Sequence, residues 1–302
     1  MSTVSVIIPT YNHAGFLGEA IDSALVQTHP PIEVIVIDDG STDNTAEVLA
    51  SYADRIRGVR QQNRGVAAAR NAGVALSSGE FLAFLDADDV WSPEKTERQV
   101  RRFEAEPDLG LVHCGMDEID ATGSLVRRVQ DGLEGWVADD MLLFRRSVIL
   151  GGGSGTMVPR ALFDEAGGFD ETLSTSADWD FYYRLARRYR VGFVEDVLLG
   201  YRIHGSNMHS NIAAMERDML RGYVKAFMDA GPHLASLRRR CYGNLHRMLA
   251  GSYFQGGNYW AFLRHAITSL LLTPENAAWF LGYPVRRLRG RVQAESRARQ
   301  TG

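Results

Sequence analysis

The sequence predicts an α/β protein in which a mostly parallel sheet carries helices on both faces and is followed by a C-terminal helical appendage. Apolar, β-branched runs alternate with segments of helical periodicity over the first hundred residues, which is typical of a parallel sheet. Acidic residues directly follow two of these runs, and only helical patterns remain from about residue 213. We therefore expect a sheet domain over residues 1–212 and a helical region with a basic tail over 213–302.

The expected elements begin with the strand VSVIIP, after which apolar residues from Phe16 to Leu25 recur at helical spacing. A second strand, EVIVIDD, precedes the helix NTAEVLASYADR, and a Ser-Thr-Asp run between them offers capping side chains. The segment RGVAAARNAGVALSSG is expected to form a helix that ends at Gly79, before the third strand EFLAFLDADD. Pro93 then marks the start of a further helix, and LGLVHCG is the next strand.

The pattern changes after residue 115, where the alternation of strands and helices stops. The segment MDEIDATGSLVRRV predicts a hairpin whose turn lies near Thr122 and Gly123. A glycine-rich loop follows, then the helix DWDFYYRLARRY, and then the strand VGFVEDVLLGYRIHG, which ends in a loop. These elements complete the first domain.

The composition is that of an ordinary globular protein, with 45% hydrophobic and 23% charged residues among 302. Cys114 and Cys241 are the only cysteines, so we expect no disulfide framework and a reducing compartment. We expect neither a signal peptide nor a membrane-spanning helix, because the sequence has no suitable apolar run.

The net charge of −4 divides unevenly, with −13 over residues 1–212 and +9 over 213–302. A nucleic-acid-binding protein would carry its basic surface on the main domain, so we expect no nucleic-acid partner.

Two acidic clusters, Asp38-Asp39 and Asp86–Asp89, lie where expected strands end. Ligands of open parallel sheets bind outside the carboxyl ends of the strands, so both clusters should face one site. Carboxylates with few other protein ligands suit Mn²⁺ or Mg²⁺ when a diphosphate completes the coordination shell. The alternative for each cluster is an acidic helix cap or a solvated turn.

Other site types are not supported. LGGGSGTM has Thr156 where a dinucleotide-binding motif needs its third glycine, and the sequence contains no Walker A motif. His113 and Cys114 have no partner pair at zinc spacing, and no nucleophile-elbow signature occurs.

Four successive segments, VSVIIPTYN, EVIVIDDGSTDNT, NRGVAAARNAG and FLDADD, resemble the signatures of family 2 inverting glycosyltransferases with the GT-A fold. GGFDE, SADWDFYYRLA and YRIHGSNMHS are similar to the acceptor-side elements of that family, in the same order. The resemblance covers roughly residues 3–210. It implies metal-dependent transfer of a sugar from a UDP-sugar to an acceptor hydroxyl, in the synthesis of a polysaccharide, a glycolipid or a lipid-linked glycan.

The resemblance also implies roles for single residues. Tyr11 would stack on uracil, and Asp39 would accept its N3–H. Arg70 would reach the nucleotide from its helix, and Asp86 would contact the ribose or the metal. Asp89 could cap the following turn. Two further sets complete the implied site: the wall of the base pocket, Pro9, Thr10 and Tyr11, and the metal ligands, Asp86, Asp88 and His204. The alternatives are ordinary structural roles: turn residues, helix caps and solvated surface groups.

The implied catalytic base is Asp178. Family members usually carry Glu-Asp before the tryptophan, but this sequence has Ala177 in the first of those positions. The alternatives are that Asp178 caps the helix that follows, or that Asp180 is the base.

Two rival functions remain open: nucleotidyl transfer, and sugar-nucleotide binding without catalysis. The last 19 residues, 284–302, contain six arginines and one glutamate, and Trp279 and Phe280 precede them. This composition favours either an interfacial membrane segment or a helical appendage with a solvated basic end. We therefore expect a cytoplasmic protein, and peripheral attachment to the anionic inner face of the cell membrane is one of these two alternatives.

Overall fold

The computed structural model of the protein describes residues 2–30, 33–205, 211–228 and 230–282. The chain divides into two compact units. One runs to Met141 and again from Arg146 to Gly222, and the other combines Leu142–Arg145 with the chain from Tyr223 onward. The expected division at 212/213 stays a prediction.

The first unit contains a single sheet of nine strands within the described residues: β1 Val4–Thr10, β2 Glu33–Asp38, β3 Arg57–Arg60, β4 Phe81–Phe84, β5 Val90–Trp91, β6 Leu109–Ile119, β7 Leu125–Val129, β8 Met157–Pro159 and β9 Arg190–Arg202. Their order in the sheet is β3-β2-β1-β4-β8-β6-β9-β5, with β7 paired to β6. The expected α/β class with flanking helices is confirmed, while the sheet is mixed rather than mostly parallel, with four parallel and four antiparallel pairs among the described strands.

Strands β1 to β4 pair only in parallel with one another: β1 lies between β2 and β4, and β2 also pairs with β3. Beyond β4, β8 pairs antiparallel with both β4 and β6, and β9 returns parallel to β6. The hairpin expected after residue 115 is β6–β7. Strand β3 was not predicted, because its sequence RGVR is largely exposed and charged, as suits an edge strand.

Ten α-helices with defined bounds lie in the described residues: α1 Ala14–Leu25, α2 Thr45–Tyr52, α3 Val66–Ala75, α4 Lys95–Ala105, α5 Ala138–Leu143, α6 Arg160–Ala166, α7 Ala177–Ala186, α8 Ile212–Met228, α9 Pro232–Gln255 and α10 Tyr259–Leu272. The prediction that α3 ends at Gly79 is wrong by four residues. Gly79 instead lies against β1, where its N–H donates to Ser5 Oγ.

The central strand β1 is buried on both faces, as expected for a strand inside an α/β layer. Val6 and Ile8 join a core cluster that includes Leu17 of α1. Ile7 points to the opposite side, where Gly73 brings α3 close to the strand. This double burial fixes the carboxyl end of β1, and the loop that follows it begins from a rigid position.

His113 is a structural residue of β6. Its Nε2 lies 2.8 Å from the Leu133 carbonyl oxygen, and its Nδ1 accepts from the Leu150 N–H. Burial lowers the pKa of His113 to about 4, so the ring is neutral near pH 7.

In the second unit, α9 and α10 form an antiparallel hairpin held by polar contacts to Gly243, whose carbonyl accepts from Ser269 and Asn276. Tyr223 and Asn244 donate to the backbone carbonyls of Leu142 and Leu143. Among the described residues, no helix combines the length and apolar character needed to cross a bilayer.

Candidate functional site

A cavity of about 870 Å³ lies in the first unit, at the carboxyl ends of β1, β2 and β4. It is large enough for a small organic ligand such as a nucleotide sugar. Its lining comes from separate loops and helices: Pro9, Thr10, Tyr11, Asn12, His13, Asp39, Asn63, Gly65, Val66, Ala69, Arg70, Asp86, Ala87, Asp88, Gly152, Gly153, Ser174, Thr175, Asp178, Tyr201 and Asn211. Every residue implied to bind the nucleotide or the metal, or to act as the base Asp178, lines it except His204, which contacts Asp88.

The loop after β1 is held by the loop after β2. Asn12, at a positive φ of 56°, donates its N–H to Ser41 Oγ and accepts from the Thr42 N–H at 2.7 Å. Thr10 is buried, whereas Tyr11 is 47% exposed and presents its ring to the cavity. An aromatic face in this position can stack on a planar base.

Asp39 is buried, and its carboxylate already accepts hydrogen bonds from other residues of the protein. Its carboxylate accepts from Gln61 Nε2 and from the N–H groups of Arg64 and Gly65, at 2.7–2.9 Å. A carboxylate offers about four lone-pair sites, so three bonds leave room for one further donor from a ligand. Asp39 thus orients the loop before α3 and can still accept an imide N–H.

Arg70 is 4% exposed, and its Nη2 donates to Asp86 Oδ1 at 2.6 Å. This pairing raises the pKa of Arg70 despite its burial. A β-carbon on Gly153 would lie only 2.5 Å from Arg70 Nη2, so a larger residue here would displace the guanidinium from its place beside Asp86. The glycine-rich segment therefore forms a wall of the cavity and brings its backbone against the guanidinium.

Asp88 lies between two imidazoles. Its Oδ2 is 2.9 Å from His204 Nε2 and 3.8 Å from His13 Nδ1. His204 also stacks on Phe16, with ring centroids 5.0 Å apart. His13 was not predicted from the sequence, although it directly follows the TYN segment, which could have drawn attention to it.

The chain also provides partners for the acidic cluster at its centre. Asp89 was expected to cap the turn that follows. It is instead buried, and its carboxylate accepts from Ser154 Oγ and from the Arg202 N–H. Burial, together with the neighbouring charges of Asp88 and Asp86, raises the pKa of Asp89. With Asp86 paired to Arg70 and Asp88 to His204, each carboxylate of the cluster has a partner within the protein.

The donor chemistry fits a divalent cation only in part. Carboxylate oxygens from Asp86 and Asp88 with the His204 nitrogen are ligands that Mn²⁺ or Mg²⁺ can accept. Within the described ranges, no three His, Cys, Asp or Glu side chains converge in metal-binding geometry. Oxygen atoms from a bound ligand would therefore have to complete the coordination shell.

Asp178 lies in the first turn of α7 and lines the cavity on the side of the glycine-rich wall. A β-carbon on Gly152 would lie 3.1 Å from Asp178 Oδ2. Burial raises the pKa of Asp178, although the nearby Arg70 guanidinium opposes this shift. Asp180 is instead buried beside Arg184, whose Nε donates to it at 2.9 Å, and it does not line the cavity.

Asp218 of α8 is a further residue that the sequence did not indicate. One of its oxygens, Oδ2, lies within 2.7–3.3 Å of the N–H and hydroxyl groups of both Ser174 and Thr175. These two residues line the cavity just before α7. Asp218 thus fixes the segment that leads into Asp178, from 44 positions away in sequence.

We expect Asp218→Ala to free this segment, because four donors would lose their shared acceptor. Amide hydrogen exchange of a peptide covering residues 170–178 should speed up, while a peptide from β1 should exchange at its original rate. Thr172→Ala is the matched control, since it changes the same loop without touching Asp218. Unchanged exchange in Asp218→Ala would show that the other contacts of the loop hold it without Asp218.

The sequence profile described as "Glycosyl transferase family 2" matches residues 5–166. An uncharacterized glycosyltransferase of Rickettsia prowazekii is 34% identical over 227 residues, which are 74% of this chain and 71% of that protein. An uncharacterized glycosyltransferase of Rickettsia felis is 36% identical over 217 residues, but the chain spans only 36% of its length. Chondroitin synthase of Escherichia coli is 29% identical over 207 residues, 68% of this chain and 29% of that protein.

Solved structures show the same fold at low sequence identity. Residues 1–349 of S. aureus TarS in complex with UDP-GlcNAc give a TM-score of 0.65 at 18% identity, covering 91% of this chain and 82% of that one. The mannosyltransferase PcManGT of Pyrobaculum calidifontis, in complex with GDP-Man and Mn²⁺, gives 0.61 at 22% identity, covering 95% and 83%. These likenesses support the expected GT-A fold.

Proposed function

The chain belongs to glycosyl transferase family 2, and we propose that it transfers the sugar of a UDP-sugar to an acceptor hydroxyl with inversion at the anomeric carbon. The observation that carries this proposal is the convergence of Asp39, the Asp86–Asp88 turn and Asp178 on one cavity. A base-binding side, a diphosphate-binding centre and a proton acceptor would then lie around a single ligand. The UDP-GlcNAc complex of TarS supports the choice of donor.

Donor binding is assigned to the carboxyl ends of β1, β2 and β4. Tyr11 would stack on the uracil ring within a wall formed with Pro9 and Thr10, and Asp39 would accept the N3–H. The guanidinium of Arg70 would face the nucleotide, held in direction by Asp86.

Proton transfer is assigned to Asp178. A carboxylate is too weak a base to deprotonate an alcohol in the ground state, so the proton must move late, as the bond to the sugar breaks. The raised pKa of Asp178, caused by its burial, makes it a better proton acceptor at that moment. A single displacement without an enzyme nucleophile inverts the anomeric centre.

The diphosphate leaves on the side of Asp88 and His204, which with Asp86 would hold Mn²⁺ or Mg²⁺. When bound, such a cation supplies positive charge at the leaving group. The Mn²⁺ complex of PcManGT supports this assignment. His13 lies at the edge of the same centre and would contact the diphosphate or its cation.

The test is UDP release from a panel of UDP-sugars, with GDP-mannose as a competing donor, in Mn²⁺ and in EDTA. We expect release from at least one UDP-sugar and loss of release in EDTA. Nucleotidyl transfer would instead produce pyrophosphate from UTP and a sugar phosphate. Tight UDP binding without release from any sugar would identify a binding protein.

We propose a glycan or lipid-linked acceptor in polysaccharide, glycolipid or lipid-linked glycan synthesis, and the similarity to chondroitin synthase supports this choice. A cytoplasmic location with peripheral attachment to an anionic inner membrane face would suit such an acceptor. The basic tail, residues 284–302, whose composition suggested such attachment in the sequence, lies outside the described residues.

A further inference from the structure

Helix α10 carries an apolar stripe that is largely exposed among the residues the structure describes. Four of its large apolar side chains are exposed at spacings of three and four residues: Trp260, Leu263, Ile267 and Leu271. Such spacing places them along one side of the helix. Trp260 is 85% exposed, and Leu271 is 70% exposed. Contiguous exposed apolar surface of this kind marks an interaction site more often than scattered single residues do.

The charge of the α9–α10 hairpin has a single sign, and the acidic residue Glu275 follows it. From Pro232 to Leu272, the α9–α10 hairpin contains five arginines and neither aspartate nor glutamate. Arg264 is exposed within the stripe, and Arg239 donates to the Leu271 carbonyl oxygen at the end of α10. Arg238 and Arg240 are exposed beside Arg239 on α9. The partner of this surface must therefore tolerate apolar insertion and carry negative charge.

We propose that the exposed face of α10 docks on an anionic lipid surface, with Trp260, Leu263, Ile267 and Leu271 entering the boundary between headgroups and acyl chains. Tryptophan is favoured at this depth because its ring is apolar and its N–H is polar. The exposed arginines of α9, Arg238 to Arg240, and Arg264 remain at the level of the phosphates, where each one adds electrostatic attraction.

A second copy of the chain is the other occupant to consider, and the charge argues against it. Apposing two α10 faces in a symmetric dimer brings like-charged arginines together, which is unfavourable without intervening anions. An anionic bilayer meets both requirements of the surface at once. The inference deepens the proposed function by naming the surface that contacts the membrane, and vesicle binding is measured independently of sugar transfer.

The experiment is cosedimentation of the full chain with vesicles of phosphatidylglycerol and phosphatidylcholine, and with vesicles of phosphatidylcholine alone. The test variant is Trp260→Ser/Ile267→Ser, and the matched control is Trp136→Ser, because Trp136 is 66% exposed in the other unit. We expect the test variant to lose roughly tenfold or more in partitioning, and the control to bind as the original chain does. Arg238→Gln/Arg239→Gln/Arg240→Gln should remove most of the preference for anionic vesicles.

Tryptophan fluorescence gives a second readout on the same samples. Addition of anionic vesicles should shift the emission to shorter wavelength in the original chain and in Trp136→Ser, but not in Trp260→Ser. A chain ending at Tyr283 should retain binding through α10. Equal partitioning of the folded Trp260→Ser/Ile267→Ser variant would overturn the proposal, as would complete loss of binding in the chain ending at Tyr283. A change from dimer to monomer in light scattering, with partitioning unaltered, would assign the face to self-association instead.

Discussion

Replacing Asp178 with asparagine is expected to lower the turnover of sugar transfer by about two to four decades, the usual range for a positioned base. Asparagine keeps the shape of the side chain and its bond from the Trp179 N–H, but it cannot take up the acceptor proton. UDP affinity, measured by calorimetry, should change little, because Asp178 lies on the acceptor side of the proposed donor site. Loss of turnover without loss of donor binding is the pattern of an interaction made in the transition state.

The same assignment predicts a direction for the pH dependence. Burial raises the pKa of Asp178 above its usual range, so transfer should decline as the pH falls through that raised value and reach a plateau above it. A profile of kcat against pH measures this limb directly. Its acid limb should be absent from the residual activity of Asp178→Asn.

Asp180→Asn is the matched control, two positions away on the same helix. Asp180 is buried and paired with Arg184, so its loss should affect the thermal stability of the protein more than its turnover. A larger fall in turnover for Asp180→Asn than for Asp178→Asn would assign the base to Asp180.

The second large effect is expected at Asp88. Asp88→Asn should weaken UDP binding about 10- to 100-fold in the presence of Mn²⁺, a range typical for disturbed metal sites. The physical reason is the loss of negative charge beside His204, at the place where the proposed cation would sit. In EDTA, the variant and the original chain should bind UDP with similar, weak affinity.

Calorimetry of UDP binding to the original chain and to Asp88→Asn, each in Mn²⁺ and in EDTA, gives the four affinities to be compared. Asp117→Asn is a suitable control, because Asp117 pairs with Arg128 on the β6–β7 hairpin and does not line the cavity. Equal UDP affinity of the original chain in both conditions would remove the metal from the proposal. Unchanged Mn²⁺-dependent affinity in a folded Asp88→Asn protein would leave Asp88 with a structural role beside His204.

The sequence by itself determined the α/β class, most strands and helices, and the edge of the sheet at which the cavity lies. Buried parallel strands read as continuous apolar runs, and their carboxyl ends meet at one edge, so local pattern was sufficient. It also singled out Asp39, Arg70, Asp88 and Asp178, all of which line the cavity.

Tertiary structure alone decided which side chains become partners. His204 contacts Asp88 from 116 positions away, and the backbone at Gly153 lies against the Arg70 guanidinium. Asp218 accepts from Ser174 although its helix, α8, begins after the segments that resemble the family. Such pairings depend on how distant elements pack, whereas the periodicity of a sequence reports only which face of an element is buried. The acidic turn after β4 illustrates the difference: its three carboxylates indicated a cation in the sequence, and the fold gives each of them a partner from the chain itself.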